Sequence, residues 1–233
     1  MGLIVPAVLP TSHDDLAEKL RRFSTIPGVS HIQIDVVDGR FASPATWPYT
    51  APGDMPAMIK KGDMLPHLDR IAYEIDLMCL DTERATEDWL ALGASRLTLH
   101  AESIMGIPKS LGLLKRRFGD VSAVFGLALN VTSELSLIEP CLDQVEYVQF
   151  MGIASIGKQG QLFDRRVLEM IRLFRLRHPD MPVQVDGGVT YEVARELIGL
   201  GVTNLVVGSA LLRAPDAAAE LRRFEELQTP FGV

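Results

Sequence analysis

Residues 183–190 read Val-Gln-Val-Asp-Gly-Gly-Val-Thr, and this short stretch carries the pattern that decides the fold. An apolar, β-branched run ends at Asp186, two glycines form a turn, and Thr190 is a suitable N-cap for the segment that follows. The unit is therefore predicted to be a strand followed by a helix. Similar units recur along the whole chain, and such alternation is typical of a parallel sheet.

Eight strand–helix units can be counted in this way. The predicted strands are Leu3–Val8, Ile32–Val37, Ala72–Met78, Arg96–His100, Ala123–Asn130, Tyr147–Met151, Val183–Asp186 and Asn204–Gly208. The predicted helices begin near Asp14, Asp54, Thr82, Ile107, Ser133, Asp164, Thr190 and Pro215, with Ser133 and Thr190 as N-caps and Pro215 in a first turn. Eight units in 233 residues fit a (β/α)8 TIM barrel. A doubly wound open sheet has the same local pattern and remains an alternative. No stretch has the composition of a linker, so we expect a single domain, residues 1–233.

Composition excludes several classes of protein. The chain has 23 basic and 30 acidic side chains, a net charge of −7, which argues against binding nucleic acid or an anionic membrane surface. Cys79 and Cys141 form neither a disulfide framework nor a CxxC motif, which favours a reducing compartment. The apolar segment from Met1 to Pro10 lacks a basic start and is interrupted by Pro6, so we expect a first strand and not a signal peptide or membrane span. These features predict a cytoplasmic protein.

Carboxylates occur near the ends of three predicted strands. Asp35, Asp76 and Asp186 lie where a barrel places its catalytic residues. Strand alternation puts Gln33 on the same face as Asp35, and one face of each barrel strand points inward. Carboxylates that share a cavity need a bound cation or a proton with a raised pKa. Turn formation at Asp38-Gly39 and Asp186-Gly187-Gly188 is the alternative explanation.

Glycine-rich segments follow the sixth, seventh and eighth predicted strands. Their free N–H groups, some at helix N-termini, are suited to binding a phosphate group. The candidate residues are Gly157, Gly160, Gly187, Gly188, Gly208 and Ser209. His100, Met78 and Met151, each at a strand end, are further candidates for contact with a ligand, although all three also suit a structural role.

The order of these motifs along nearly the whole chain resembles the ribulose-phosphate 3-epimerase family of phosphate-binding barrels. The matching segments are Pro6-Ala7-Val8-Leu9, residues 34–41 (IDVVDGRF), Asp76-Leu77-Met78, Leu99-His100-Ala101-Glu102, residues 126–130 (GLALN), Gln161-Leu162-Phe163, Val185-Asp186-Gly187-Gly188 and Val207-Gly208-Ser209-Ala210. The resemblance implies a ribulose-phosphate-binding type of barrel in pentose phosphate metabolism. It also implies that Asp35 and Asp186 are the acid/base pair that inverts C3 of a ketose phosphate through an enediolate.

Two positions depart from the family pattern at the metal site that the resemblance implies. The family's two histidine ligands are replaced by Gln33 and Asp76. Either the remaining oxygen set (Gln33, Asp35, Asp76, Asp186) holds a hard ion such as Mg²⁺ or Mn²⁺ in preference to Zn²⁺, or no metal binds and a proton or a cation such as Lys158 offsets the charge. We favour the metal.

Two further departures lie at Ala7, where the family has a serine, and in the loop from Ala154 to Gly160, which is one residue longer than the family's. We therefore expect an isomerase that acts on a small phosphorylated sugar, such as D-ribulose 5-phosphate. A lyase or aldolase-like reaction on the same barrel, or a non-catalytic sugar-phosphate-binding protein, remains an alternative. A homo-oligomer is possible.

Overall fold

The computed structural model describes residues 3–104, 107–118 and 123–227, so residues 1–2, 105–106, 119–122 and 228–233 of the predicted domain lie outside the described residues. The strands are β1 (Leu3–Val8), β2 (His31–Val37), β3 (Ala72–Met78), β4 (Arg96–His100), β5 (Val124–Leu129), β6 (Tyr147–Met151), β7 (Val183–Asp186) and β8 (Asn204–Val207). They pair in parallel in the order β1 to β8, and β8 closes on β1. The barrel prediction is confirmed, and the open-sheet alternative is wrong.

On several strands the two faces have opposite chemistry. On β2, Ile32, Ile34 and Val36 point outward into the main apolar core beneath the helices. Gln33 and Asp35 alternate with them and therefore point into the lumen, where both are buried. Each strand thus contributes to the core through one face and to the lumen through the other.

Eight α-helices cover the outside of the barrel in the described part of the chain: α1 (His13–Ser24), α2 (Asp54–Lys61), α3 (Thr82–Ala91), α4 (Ile107–Phe118), α5 (Arg166–Arg177), α6 (Tyr191–Gly199), α7 (Ser209–Arg213) and α8 (Ala217–Glu226). The predicted N-cap at Thr190 is confirmed, since its hydroxyl accepts a hydrogen bond from the N–H of Val193. Within the described residues, no helix is both long enough and apolar enough to cross a membrane.

Three predicted helix starts differ from the structure: one is wrong, and two are displaced by two residues. The segment after β5 forms two 3₁₀ helices, Leu135–Leu137 and Glu139–Gln144, where we predicted a helix starting at Ser133. The Ser133 hydroxyl donates to Glu102 Oε1 at 2.6 Å and therefore caps no helix, and Pro140 lacks the N–H that an α-helix would need there.

The other two starts are displaced toward the C-terminus. Helix α5 begins at Arg166, after Asp164, whose carboxylate accepts from the Arg166 N–H at 3.1 Å. Helix α8 begins at Ala217 with Asp216 as its N-cap, so Pro215 precedes the cap and does not lie in the first turn.

Candidate functional site

A cavity opens at the C-terminal ends of the strands, bounded by residues of β1, β2, β3, β6, β7 and β8 and by the loops that follow β6, β7 and β8. Ten of the thirteen predicted site residues line it: Asp35, Met78, Met151, Gly157, Gly160, Asp186, Gly187, Gly188, Gly208 and Ser209. The other three, Gln33, Asp76 and His100, are fully buried and contact the carboxylates at the base of the cavity. The barrel therefore brings the predicted residues together at one end.

Asp35, Asp76 and Asp186 form a carboxylate cluster at the base of the cavity. One oxygen from each lies within 4.8 Å of the others. The side chains are nearly inaccessible, with exposed fractions of 6% for Asp35, 0% for Asp76 and 9% for Asp186. Strand register explains the grouping, because Asp35 pairs with Asp76 across β2 and β3 while Asp186 ends β7 on the opposite side of the narrow lumen.

Burial and mutual repulsion change the protonation of the cluster. Burial, followed by the charges of Asp186 and Asp76, raises the pKa of Asp35 well above its usual value. Burial, followed by the charge of Asp76, raises the pKa of Asp186 to about 8. In the absence of a bound cation, the cluster therefore keeps at least one proton near neutral pH.

Three buried side chains hydrogen-bond to the cluster. The amide nitrogen of Gln33 donates to Asp35 Oδ1 at 2.8 Å and to Asp186 Oδ2 at 3.2 Å, and so bridges two carboxylates. Asp76 is held from two sides, by His100 Nε2 at 2.8 Å from Oδ1 and by Gln149 Nε2 at 3.1 Å from Oδ2. Every carboxylate of the cluster is therefore oriented by at least one neighbour.

His100 is placed for contact with Asp76 and not for contact with a ligand in the cavity. Its ring is fully buried, and the ring of Phe41 lies over it at a centroid distance of 5.4 Å. Burial lowers the pKa of His100, but the charge and hydrogen bond of Asp76 more than offset this effect, so that the pKa is raised overall. His100 therefore acts on the cluster through its hydrogen bond to Asp76.

The donor set fits a hard divalent cation. Two oxygens on opposite sides of a Mg²⁺ ion lie about 4.2 Å apart, a spacing compatible with the separations in the cluster. Burying three carboxylates together is also unfavourable unless a positive charge compensates them, and further hydrogen-bond acceptors would not do so. Gln33, the fourth predicted ligand, presents its amide nitrogen to the carboxylates, and a donor N–H group does not bind a cation. The oxygen atoms that could hold a cation are thus those of the three Asp residues.

The glycine turn after β7 forms the wall of the cavity beside Asp186. Gly187 and Gly188 have φ angles of 102° and 67°, a region that disfavours other residues. A Cβ atom at Gly188 would lie 2.7 Å from the Cα of Phe163. The glycines are therefore required by the backbone path, and both line the cavity.

The remaining glycines approach the cavity from neighbouring loops. Gly208 and Ser209 lie between β8 and α7, and a Cβ at Gly208 would lie 2.8 Å from Nε2 of Gln159. Gly157 and Gly160 belong to the loop after β6, which closes over the same space. In this arrangement the cavity has about 40 Å³ of free space, enough for a few water molecules.

Two buried residues at this site, Gln149 and Gln184, were not predicted from the sequence. Strand alternation could have found them, because it puts Gln149 on the same face as Met151 and Gln184 on the same face as Asp186. Neither stood out, because a glutamine on a short strand carries no recognised motif. Lys158, considered as a cation for the site, also lines the cavity.

Comparison with known proteins gives the same family that the sequence motifs resemble. The model of the ribulose-phosphate 3-epimerase family matches residues 3–212. A ribulose-phosphate 3-epimerase of Aquifex aeolicus is 28% identical over 232 residues, covering 97% of both chains. The enzyme of the same name from Escherichia coli (strain K12) is 26% identical over 218 residues, covering 92% of this chain and 90% of its own.

Solved structures show the same fold at lower identity. The 3-keto-L-gulonate-6-phosphate decarboxylase from Vibrio cholerae superimposes with a TM-score of 0.69 at 14% identity, covering 97% of this chain and 96% of its own. The 3-hexulose-6-phosphate synthase from Salmonella typhimurium gives a TM-score of 0.69 at 13% identity, covering 97% of this chain and 98% of its own. At this identity the likeness concerns the fold alone.

Proposed function

This chain belongs to the ribulose-phosphate 3-epimerase family, and from that premise we propose that it inverts C3 of a ketose phosphate, D-ribulose 5-phosphate or a close analogue. The observation that carries the proposal is the position of Asp35 and Asp186. Both line one cavity, on opposite sides of the lumen, next to glycine turns suited to a phosphate. An epimerase needs two acid/base groups that reach opposite faces of the same carbon.

Asp35 and Asp186 would each carry out one of the two proton transfers. One carboxylate takes the proton from C3, which leaves a planar enediolate, and the other returns a proton to the opposite face. The first group must begin ionised and the second protonated. Burial and repulsion within the cluster support such a division, because they raise the pKa of both groups and leave a proton within the cluster near neutral pH.

Asp35, Asp76 and Asp186 would hold a divalent ion, for which Mg²⁺ or Mn²⁺ suits an all-carboxylate set better than Zn²⁺. When bound, the ion supplies positive charge that stabilises the negative charge developing on the substrate oxygens. His100 and Gln149 would keep Asp76 in a fixed orientation for this purpose.

The phosphate group would lie against Gly187, Gly188, Gly208 and Ser209, with the sugar chain between Met78 and Met151. The loop of residues 152–165, which contains Gly157 and Gly160, would cover the bound sugar phosphate. We further propose one domain over residues 1–233, a cytoplasmic location, a small phosphorylated sugar as partner in place of nucleic acid or membrane, and a possible homo-oligomer.

Proton exchange tests the proposed function. Ribulose 5-phosphate incubated in D₂O with the protein and Mn²⁺ or Mg²⁺ should incorporate deuterium at C3 and form xylulose 5-phosphate, as followed by NMR. Asp35→Asn and Asp186→Asn should each stop net inversion. Stabilisation of the protein by the sugar phosphate without any exchange at C3 would instead identify a binding protein and overturn the proposal.

A further inference from the structure

Beneath the carboxylate cluster, polar side chains occupy much of the lumen, where such barrels commonly have branched aliphatic residues. Three glutamines on three strands, Gln33 on β2, Gln149 on β6 and Gln184 on β7, lie there fully buried. We call these three residues the amide relay. Each amide has a donor end and an acceptor end, so the direction in which each one points decides what it offers to its neighbours.

The lower end of the relay is anchored by Glu74, a fully paired buried carboxylate. Arg96 Nε donates to Glu74 Oε2 at 3.0 Å, and Thr98 Oγ1 donates to Glu74 Oε1 at 2.9 Å. The third donor to Glu74 is the amide nitrogen of Gln184. Because an ionised carboxylate only accepts hydrogen bonds, Glu74 requires the nitrogen of Gln184 to face it.

The orientation of the Gln184 amide in turn determines the orientation of the other two glutamine amides. The two hydrogens of its nitrogen serve Glu74 and Gln149 Oε1, the latter at 2.8 Å, and Gln33 Oε1, at 3.4 Å, receives the longer branch of a shared hydrogen bond. The Gln184 oxygen accepts from Asn204 Nδ2 at 3.2 Å. The oxygens of Gln149 and Gln33 are thereby turned toward Gln184. Their nitrogens consequently face the opposite way, toward the carboxylate cluster.

At the upper end, the two nitrogens donate to all three carboxylates of the cluster. Gln33 serves Asp35 and Asp186, and Gln149 serves Asp76. If the Gln149 amide were reversed, its oxygen would lie against Asp76 Oδ2 in a fully buried space. If the Gln33 amide were reversed, Asp35 and Asp186 would both lose the hydrogen bond that Gln33 donates. The orientation set at Glu74 therefore decides whether the cluster meets donors or acceptors.

We propose that Gln184 is a positioning residue for the reaction: it takes its orientation from Glu74 and fixes Gln33 and Gln149 so that both present N–H donors to Asp35, Asp76 and Asp186. The inference rests on the proposed function for its kinetic consequence, but its geometric part stands on the hydrogen bonds alone. Fixed donors hold the carboxylates at the base of the cavity in the geometry needed for proton transfer and for a cation.

The variant Gln184→Met tests the proposal, because methionine has similar length but neither donor nor acceptor of comparable strength. With ribulose 5-phosphate, kcat should fall by about 10- to 100-fold, the usual range for removing a group that orients a ligand or catalytic residue. KM should stay close to that of the unaltered protein, because Gln184 does not line the cavity in which the sugar phosphate would bind. Wild-type kcat in a folded Gln184→Met protein would overturn the proposal.

A second measurement does not depend on activity. The side-chain amide signals of Gln33 and Gln149 in ¹H–¹⁵N NMR spectra can be assigned by their loss in Gln33→Leu and Gln149→Leu. In the unaltered protein, each amide should give one slowly exchanging pair of signals. In Gln184→Met, both amides should exchange with solvent faster, and slow exchange preserved at both would contradict a role for Gln184 in holding them.

Thr98→Val is the matched control. It also removes a donor to Glu74 in the same layer of the lumen but leaves the amide relay intact. It should lower the melting temperature while preserving kcat and the slow exchange of both amides. An equal loss of kcat in Thr98→Val would show that general packing of the lumen, and not the relay, is responsible.

Two further outcomes are distinguishable. If Gln184→Met does not fold, Gln149→Met, which removes both the acceptor of the Gln184 amide and the donor to Asp76, takes its place in the kinetic test. If the unaltered protein does not exchange the C3 proton, the proposed function fails, and the NMR measurement alone decides the relay.

Discussion

The outward and inward faces of the same strands follow opposite rules in this barrel. On β6, the outward Val148 and Phe150 belong to the continuous apolar core, whereas the inward Gln149 hydrogen-bonds to both the carboxylate cluster and the amide relay. Residues adjacent in sequence thus have different tasks. The outward face contributes burial of apolar surface, and the inward face holds polar groups that must satisfy one another.

This difference indicates that the outward residues mainly determine stability and the inward residues mainly determine chemistry. An outward residue can be exchanged for another of similar volume with little effect, because packing is not directional. An inward residue is tied to specific partners, so that a change at one site leaves a buried polar group unpaired at another. We therefore expect inward substitutions to alter activity and pH dependence, and outward substitutions to alter stability.

The largest effect is expected for Asp186→Asn on the inward face. Loss of one acid/base group should lower C3 exchange by about 10²- to 10⁴-fold. The melting temperature should not fall, because burial already disfavours the charged form of this carboxyl, whose pKa is raised to about 8. Asp180→Asn, in an exposed turn before β7, is the control and should leave exchange unchanged. Retention of exchange in Asp186→Asn would remove Asp186 from the reaction.

Phe174→Ala tests the outward side of the comparison. The Phe174 ring is fully buried on α5 and contacts the Phe150 ring at a centroid distance of 5.2 Å. Its removal should lower the free energy of unfolding by about 3–5 kcal/mol, measured by urea denaturation. Exchange per folded molecule should be unaffected. A large loss of activity at unchanged stability would mean that the two faces are not separable.

The free energy of unfolding should depend on pH because of the buried carboxylates in the lumen. Without a bound metal, the folded state keeps a proton on Asp186 up to about pH 8, whereas the unfolded chain loses it near its ordinary value of 3.8. The folded state therefore binds more protons in that interval, and the free energy of unfolding falls as the pH rises from about 4 to 8. Asp186→Asn should weaken this fall, and Mn²⁺ should offset it. A melting temperature that rises steadily from pH 5 to 8 in chelator would contradict the raised pKa.

Sequence alone could place most of these residues but not orient them. Strand alternation put Gln33 beside Asp35, and the barrel brought Asp186 to the same end. The direction of the Gln33 amide depends on Gln184, which is 151 residues away and on another strand, so no local pattern contains it. For the same reason Gln33 was expected among the metal ligands, although its nitrogen faces the cluster.

The mispredicted helix at Ser133 has a similar cause. Serine is a good N-cap by type, but its hydroxyl here is bonded to Glu102, 31 residues earlier in the sequence. Thr190 was predicted correctly because its partner, the N–H of Val193, lies only three residues away. Local hydrogen bonds could therefore be predicted from sequence, and those between distant strands and loops could not.

The smallest effect on stability is expected for the removal of two helix caps, one beside the cavity and one away from it. Thr190 caps α6 directly after the glycine turn that lines the cavity, and Asp216 caps α8, accepting from the Ala219 N–H at 2.9 Å. Thr190→Ala and Asp216→Ala should each lower the free energy of unfolding by about 1 kcal/mol in urea denaturation, since each leaves an N–H group without its cap.

The two caps should differ in binding. Thr190→Ala frees the end of the turn at Gly187 and Gly188, so it should raise KM for the sugar phosphate with kcat nearly unchanged. Asp216→Ala should leave both constants as they are, because none of the cavity-lining residues lies in α8. An equal effect of the two substitutions on KM would show that the glycine turn does not hold the phosphate, whatever the carboxylates do.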